Sequence, residues 1–371
     1  MVLQVNLLIY AYMALCACML IFNMFYVSRS RWHSFKNPGR IKKYREWMEY
    51  CIQDPDQDVF DEFQKKVWDR KLKRSSQLIL FQTALEQVAE GAATREKLIS
   101  WMHVHRDMVY ALGSSYLKKN GMEKAYYAYI LETYQLCGAS EKDPFVLQMQ
   151  QLVMDHSIYC RENALCALYA GGTASHVVKA YEILTRMDIQ HSLKMVTDGL
   201  LTFNGDKEVL AEALWGAWGH FSDSYRAAFI NFIRMVSGSF TGRFLPILTD
   251  AGYDREVRFA VLRYYRKYYY PEAREELRYL AAHWEQVDWE FSALAALALE
   301  NYPGAKTVEA LRLGCRSRNW HVRYNCAQSL SRLLCVESME RITMDETDAY
   351  AKDMLMYNLS LKEVERNDGH D

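Results

Sequence analysis

Side chains able to do catalytic or metal chemistry are thinly spread in this sequence. His103 and His105 stand two apart in WMHVHRD. On a helix they project about 200° apart, so the two imidazoles cannot serve one metal without distorting its coordination. Cys160 and Cys166, six apart, lack the close spacing of a zinc knuckle and fall among apolar residues, as packing thiols do. There is no Gly-rich phosphate loop, no GxSxG, no HExxH and no His–Glu dipeptide. No catalytic, cofactor-binding or metal-ligating residue is expected, and no small-molecule ligand.

Aromatic side chains offer binding chemistry instead. YYRKYYYPE (Tyr264 to Glu272) holds five tyrosines around a basic pair, AYYAYILETY (Ala125 to Tyr134) holds four, and LWGAWGHF (Leu214 to Phe221) alternates large rings with glycines. Tyrosine joins a wide contact area to a polar tip, a combination favoured at protein interfaces. Tyr264, Tyr265, Tyr268 and Tyr269, with Trp215 and Trp218, are therefore the candidate protein-binding residues. The competing reading is that these rings fill wide gaps between helices.

Such residues need elements to hold them. The chain has 371 residues, half of them apolar, with six prolines and a formal charge of −1. A substantial core is available, long flexible linkers are absent, and nothing in the charge balance draws the whole chain to nucleic acid. Helix with short turns is the expected texture.

From Val5 to Val27 the sequence VNLLIYAYMALCACMLIFNMFYV runs without a charge, long enough at ~1.5 Å per residue to cross a ~30 Å hydrocarbon layer. Ten of its residues are Val, Leu, Ile or Phe. No Lys or Arg precedes it, which argues for a retained anchor over a cleaved leader, the alternative. Seven basic residues follow it, Arg29, Arg31, Lys36, Arg40, Lys42, Lys43 and Arg45, before the first acid, Glu46. By the positive-inside tendency the long carboxy-terminal part is cytoplasmic, and the basic run lies close to lipid, setting topology. Seven cysteines outside the anchor form no framework and read as reduced thiols.

One template recurs: an apolar or aromatic residue, a polar edge residue, then packing residues at +4, +5 and +8. Its starts are Cys160, Leu193, Tyr225, Val257, Phe291 and Val322, spaced by 33, 32, 32, 34 and 31 residues, with a weaker match at Ala351. The Leu193 copy fits least well, with Thr197 and Asp198 at packing positions. A fixed period near 32 is the signature of stacked helical hairpins. Segments such as PEAREELRYLAAHW (Pro271 to Trp284) and TVEALRLGC (Thr307 to Cys315) supply the other helix of each hairpin. The expected layout is an anchor over 1–27, a basic segment over 28–46, divergent helices over 47–142, repeats over 143–360 and a polar tail over 361–371.

DREVRFAVLRYY (Asp254 to Tyr265), NWHVRYNCAQSL (Asn319 to Leu330) and SIYCRENALCAL (Ser157 to Leu168) resemble HEAT repeats, especially the short bacterial kind similar to the bilin-lyase HEAT-like family. The resemblance covers about Asp143 to Leu359 and implies an all-α, right-handed solenoid. It also implies that Arg161, Arg226, Arg258 and Arg323 lie along the stack and pair with an acid or turn carbonyls of a neighbouring unit, with Asp223, Asp254 and Asp288 near the corresponding turns. Ser292 breaks that row. HEAT-like metal-dependent hydroxylases carry the His–Glu pairs that are missing here. The fold serves many tasks. The expectation is a non-enzymatic scaffold or adaptor at the inner membrane, binding a protein partner such as an integral membrane glycosyltransferase. An enzyme on a HEAT-like fold, of lyase or glycosylase type, is the alternative, and a nucleic-acid-binding solenoid the second.

Overall fold

The computed structural model describes residues 2–53 and 68–368, with the side chains of 2–11, 14, 25–36, 92 and 363–368 outside that description. Among the described residues every regular element is helical and none is a strand, as the sequence pattern predicts. The chain forms two compact units, residues 1–167 and 168–371. The division falls inside a helix, so the copy that starts at Cys160 belongs largely to the first unit.

The first unit holds α1 (Val2–Gln53), α2 (Ser75–Val88), α3 (Ala92–Val104), α4 (Arg106–Tyr116), α5 (Gly121–Thr133), α6 (Pro144–Val153) and most of α7 (Ile158–Gly171). Helix starts follow local chemistry. The Asn120 side chain accepts from the Glu123 amide, and Asp143 accepts from the amides of Phe145 and Val146 with Pro144 in the first turn. The carboxy-terminal part of α1 packs on α2 and α3 through Tyr44, Trp47, Met48 and Cys51, positions at helical spacing. Phe81 sits at the centre of the ring cluster, edge-on to Tyr44 at 5.4 Å and to Trp68 at 5.3 Å. Burial pushes the Cys51 thiol up to about 11, so it stays neutral packing material.

The second unit continues with α8 (Ala174–Arg186), α9 (Leu193–Leu201), α10 (Lys207–Gly216), α11 (Asp223–Val236), α12 (Thr241–Thr249), α13 (Arg255–Lys267), α14 (Arg274–Ala282), α15 (Trp289–Ala298), α16 (Ala305–Gly314), α17 (Trp320–Leu333), α18 (Val336–Asp345) and α19 (Ala349–Asp368). Helices α9, α11, α13, α15, α17 and α19 each pack on the next in that order. Helices α8 with α10, and α14 with α16, pair in the same alternating way. This is a repeat-like all-α arrangement, compatible with a solenoid. The last helix continues through residue 368.

The template positions explain the packing. Tyr225, Phe229, Ile230 and Ile233 are all buried, as are Val257, Val261, Leu262 and Tyr265, and Val322, Cys326, Ala327 and Leu330. Each large side chain so covered is worth roughly 1.5–3 kcal/mol of transfer free energy, which no single hairpin could gain alone. In α9 the pattern shifts by one residue. Val196 and Leu200 are buried, whereas Leu193 and Thr197 are half-buried and Asp198 is exposed. The polar pair Thr197–Asp198 could not lie in the core, and rotating the helix by one position buries Val196 instead.

Polar bonds recur at the same period. Asn204 Nδ2 donates to the Ala170 carbonyl at 2.8 Å, Asn325 Nδ2 to Ala293 at 3.0 Å and Ser329 Oγ to Ala296 at 2.8 Å. Each spans one hairpin to the next and fixes their register, because a slip would leave these donors unsatisfied.

Candidate protein-interaction surface

The arginine row has a local task. Arg226 Nε donates to the Trp218 carbonyl at 3.2 Å and Arg258 Nε to the Leu248 carbonyl at 3.0 Å. Arg161 reaches the carbonyls of Asp155 and His156, and Arg323 those of Ser317 and Arg318. In each case the carbonyl belongs to the turn or helix end just before the arginine's own helix, where helical C=O groups lack partners and the dipole is negative. These carbonyls all precede the template start of the arginine's own copy, and Arg258 and Arg323 also lie over Phe291 and Tyr350 of the following one. Ser292, the break in the row, does the same job, its buried hydroxyl donating to the Leu280 carbonyl at 2.8 Å.

The aspartates also act locally. Asp223 pairs with Arg226 at 2.9 Å on one helix, Asp254 accepts from the Glu256 amide, and Asp288 is the residue before α15. The ion pairs between successive hairpins use other residues: Arg243–Glu212 at 2.6 Å, Arg255–Glu290 at 2.8 Å, Arg316–Glu346 at 2.9 Å, and Glu300 shared by Arg266 at 3.0 Å and Arg332. Their separations of 30 to 35 residues were a signal available in the sequence.

Of the proposed tyrosine surface, Tyr264 and Tyr265 are wholly buried. The Tyr264 hydroxyl donates to the Ser237 carbonyl and accepts from the Phe240 amide, each at 3.1 Å, and Tyr265 donates to the Thr241 carbonyl at 2.6 Å. Burial raises both phenols, Tyr264 to about 12. Tyr268 is half-buried and bonds the Arg234 carbonyl at 3.1 Å, which leaves Tyr269 as the exposed member, tilted against Tyr302 and bonded by Arg274. These rings do not form a shared docking face. Trp215 and Trp218 are half-buried, their centroids 5.0 Å apart, with Arg226 over Trp218 and Arg243 over Trp215.

An exposed aromatic surface lies elsewhere in the second unit. Trp320 and Tyr324, one turn apart on α17, stack with centroids 5.1 Å apart. Tyr350 and Tyr357, two turns apart on α19, face them across a groove of about 460 Å³ floored by Met354. Trp320 is 51%, Tyr350 71% and Tyr357 52% exposed. Arg323 lies over the Tyr350 ring at 5.5 Å, and among the described residues Asp353 is the single carboxylate of the lining. The row extends beyond the groove, since His321 contacts Trp320 and stacks on Trp289 of α15 at 5.3 Å. Rings rimmed by one cation and one anion suit capture of an apolar side chain flanked by polar groups.

The remaining expected residues are placed as follows. His105 stacks on Trp101 at 4.2 Å and its Nδ1 contacts the Trp101 carbonyl, a packing role. Cys160 is buried and donates to the Gly121 carbonyl at 2.9 Å. Lys42 and Arg45 pair along α1 with Glu46 and Glu49, while Arg40 and Lys43 line a cavity beside α2. The side chains of Arg29, Arg31 and Lys36 lie outside the described residues, as do those at both ends of the 5–27 stretch. Among the described residues no helix is long and apolar enough to cross a membrane. No family model matches the chain, and no curated protein is detectably similar to it.

Proposed function

We propose that the chain is a membrane-anchored scaffold: a right-handed solenoid of HEAT-like hairpins held at the inner membrane by residues 5–27, its long carboxy-terminal part cytoplasmic, gripping an integral membrane protein. The observation that carries the reading is the groove between α17 and α19, where three exposed rings and the half-buried Tyr324 converge around one carboxylate among the described residues. Large rigid rings give contact area at small entropic cost. One acid is too few for paired acid–base work at that groove, which favours binding over the alternative of a lyase or glycosylase. The uncharged part of α1 supports the anchor: Leu20, Ile21 and Phe22, consecutive and so pointing in different directions, are each about two-thirds exposed. A tether at the bilayer raises the effective concentration of the groove for a partner in the same membrane.

The test is site-specific photo-crosslinking in intact cells, with the photoreactive residue placed at Trp320, at Tyr357 or, as a control, at exposed Val209 on α10. The expected result is one adduct, with the same integral membrane protein, from the first two positions and not from Val209. Deleting residues 1–27 should move the chain to the soluble fraction and abolish the adduct. Adducts with nucleic acid alone, or equal adducts from all three positions, would overturn the reading.

A further inference from the structure

A second cavity, in the first unit, gathers positive charge from two parts of the chain. Arg40, Lys43 and Tyr44 of α1 meet Lys71, Arg74 and Gln77, from the start of α2 and the turn before it, around about 410 Å³. Among the described residues that is four cations and no carboxylate. Among the described residues none of the four makes an ion pair, although Lys42 and Arg45, on other faces of the same turns of α1, are both paired with acids. The nearby acid Glu123 is engaged by Ser75 and Lys119.

The cavity also contains a helix start. Arg74 is the residue before α2, and it offers no side-chain cap to the first turn. A cation at that position opposes the positive end of the helix dipole, where a carboxylate or hydroxyl is ordinarily found. Ser75 could have capped the turn, but its hydroxyl is committed to Glu123 and Lys119. With no acidic partner among the described residues, these four cations around the start of α2 repel one another and the dipole unless an anion lies between them. Guanidinium and ammonium groups together match phosphoryl oxygens, the arginines in bidentate fashion and the lysines as point charges.

We propose that this cavity binds a phosphoryl-bearing ligand, best matched in charge by a diphosphate. This departs from the expectation of no small-molecule ligand and does not depend on the groove of the second unit. The phosphoryl group has two sources, a soluble phosphorylated compound or a lipid headgroup. Arg40 lies 13 residues beyond Val27. Along a helix that is about 20 Å, further than the ~5–8 Å depth of the headgroup layer, and it favours the soluble source.

The experiment uses the full chain in phosphatidylcholine nanodiscs and follows acylation of single lysines by mass spectrometry. Adding inorganic pyrophosphate should slow modification of Lys43 and Lys71 about tenfold and leave Lys42 unchanged. The variant K71Q/R74Q should bind pyrophosphate at least about tenfold more weakly by calorimetry, whereas K42Q/R45Q, with the same loss of charge, should stay within about threefold. In a second arm, nanodiscs containing phosphatidic acid and no soluble phosphate test the headgroup source. Selective protection of Lys43 and Lys71 in that arm alone would assign the site to lipid. No selective protection in either arm, or equal weakening by both double variants, would overturn the proposal. All four substituted side chains are solvent-facing or half-buried, so loss of folding does not confound the comparison.

Discussion

Replacing Tyr264 by phenylalanine removes one oxygen and, with it, the two bonds that close the turn between α11 and α12. The Phe240 amide then has no acceptor and the Ser237 carbonyl no donor, and both residues are buried. An unsatisfied buried group costs ~1–3 kcal/mol, and two of them sharing a small void cost about 2–4 kcal/mol together. Tyr264→Ala also removes the ring that packs edge-on against Phe244 at 4.8 Å, adding roughly 3–5 kcal/mol of cavity and transfer cost. Because stability in a repeat-like helical chain is largely local, the assay is amide hydrogen exchange resolved by peptide. At a factor of ten per 1.4 kcal/mol, Tyr264→Phe should speed exchange in α11–α13 by about 30- to 1,000-fold, with much smaller change in α17–α19. Tyr269→Phe, at an exposed ring, should change it little. Exchange within about threefold of the parent chain would refute the assignment of Tyr264 to the core. So would loss of partner crosslinking without loss of protection.

Three further outcomes follow from other residues. Burial pushes the Glu346 carboxyl up, but the Asp348 and Thr347 amides and the Arg316 guanidinium outweigh it and hold the group below the ordinary carboxylate range. Its stabilisation is thus complete above the unfolded value near ~4.3 and is lost as pH falls through the lower folded value. The urea midpoint gap between the parent chain and Glu346→Gln should be widest at neutral pH and close in acid. Gly314→Ala would drive a methyl group into Cys326 Sγ and to 2.9 Å from the Ala281 carbonyl, where three helices meet. It should cost ~1–3 kcal/mol and lower Tm, whereas Gly216→Ala, with open space around its added carbon, should be neutral or better by a few tenths of a kcal/mol. Cys315, whose thiol is raised by its bond to Cys326 and by burial, should resist iodoacetamide in the folded chain, while exposed Cys335 is alkylated first.

The helical hairpins were legible because their packing residues repeat with the period of the hairpin itself. In the copies that start at Cys160, Tyr225, Val257, Phe291 and Val322 the side chains at +4, +5 and +8 are all buried. The template failed where the sequence offered a choice. At Leu193 the packed stripe lies one residue earlier, on Val196 and Leu200, because Thr197 and Asp198 sit at template positions; at Ala351 the start and Leu355 are buried while Met356 is exposed and Leu359 half-buried. The helix at Leu193 turns by one position to hide the better set, a tertiary decision that residue spacing alone does not make. The arginine row was visible as a row, but which carbonyl each arginine reaches depends on backbone geometry that spacing does not give.

The same template sorts the aromatic rings, and density of tyrosine does not. Tyr264 and Tyr265 stand at +7 and +8 from Val257, which is core register, so the richest tyrosine cluster was bound to turn inward. Trp289 and Trp320 stand two residues before Phe291 and Val322, the same off-core position in successive repeats, and both are exposed. An aromatic residue kept at a position that packing does not require is the stronger sign of a docking surface, since burying it elsewhere would gain free energy and leaving it in water does not. No such periodic rule connects Arg40 and Lys43 with Lys71 and Arg74. Their meeting depends on α1 lying against α2, a pairing in the divergent part of the chain where the 32-residue period has faded, and so the basic run after the apolar stretch could be read from sequence as half of its cavity only.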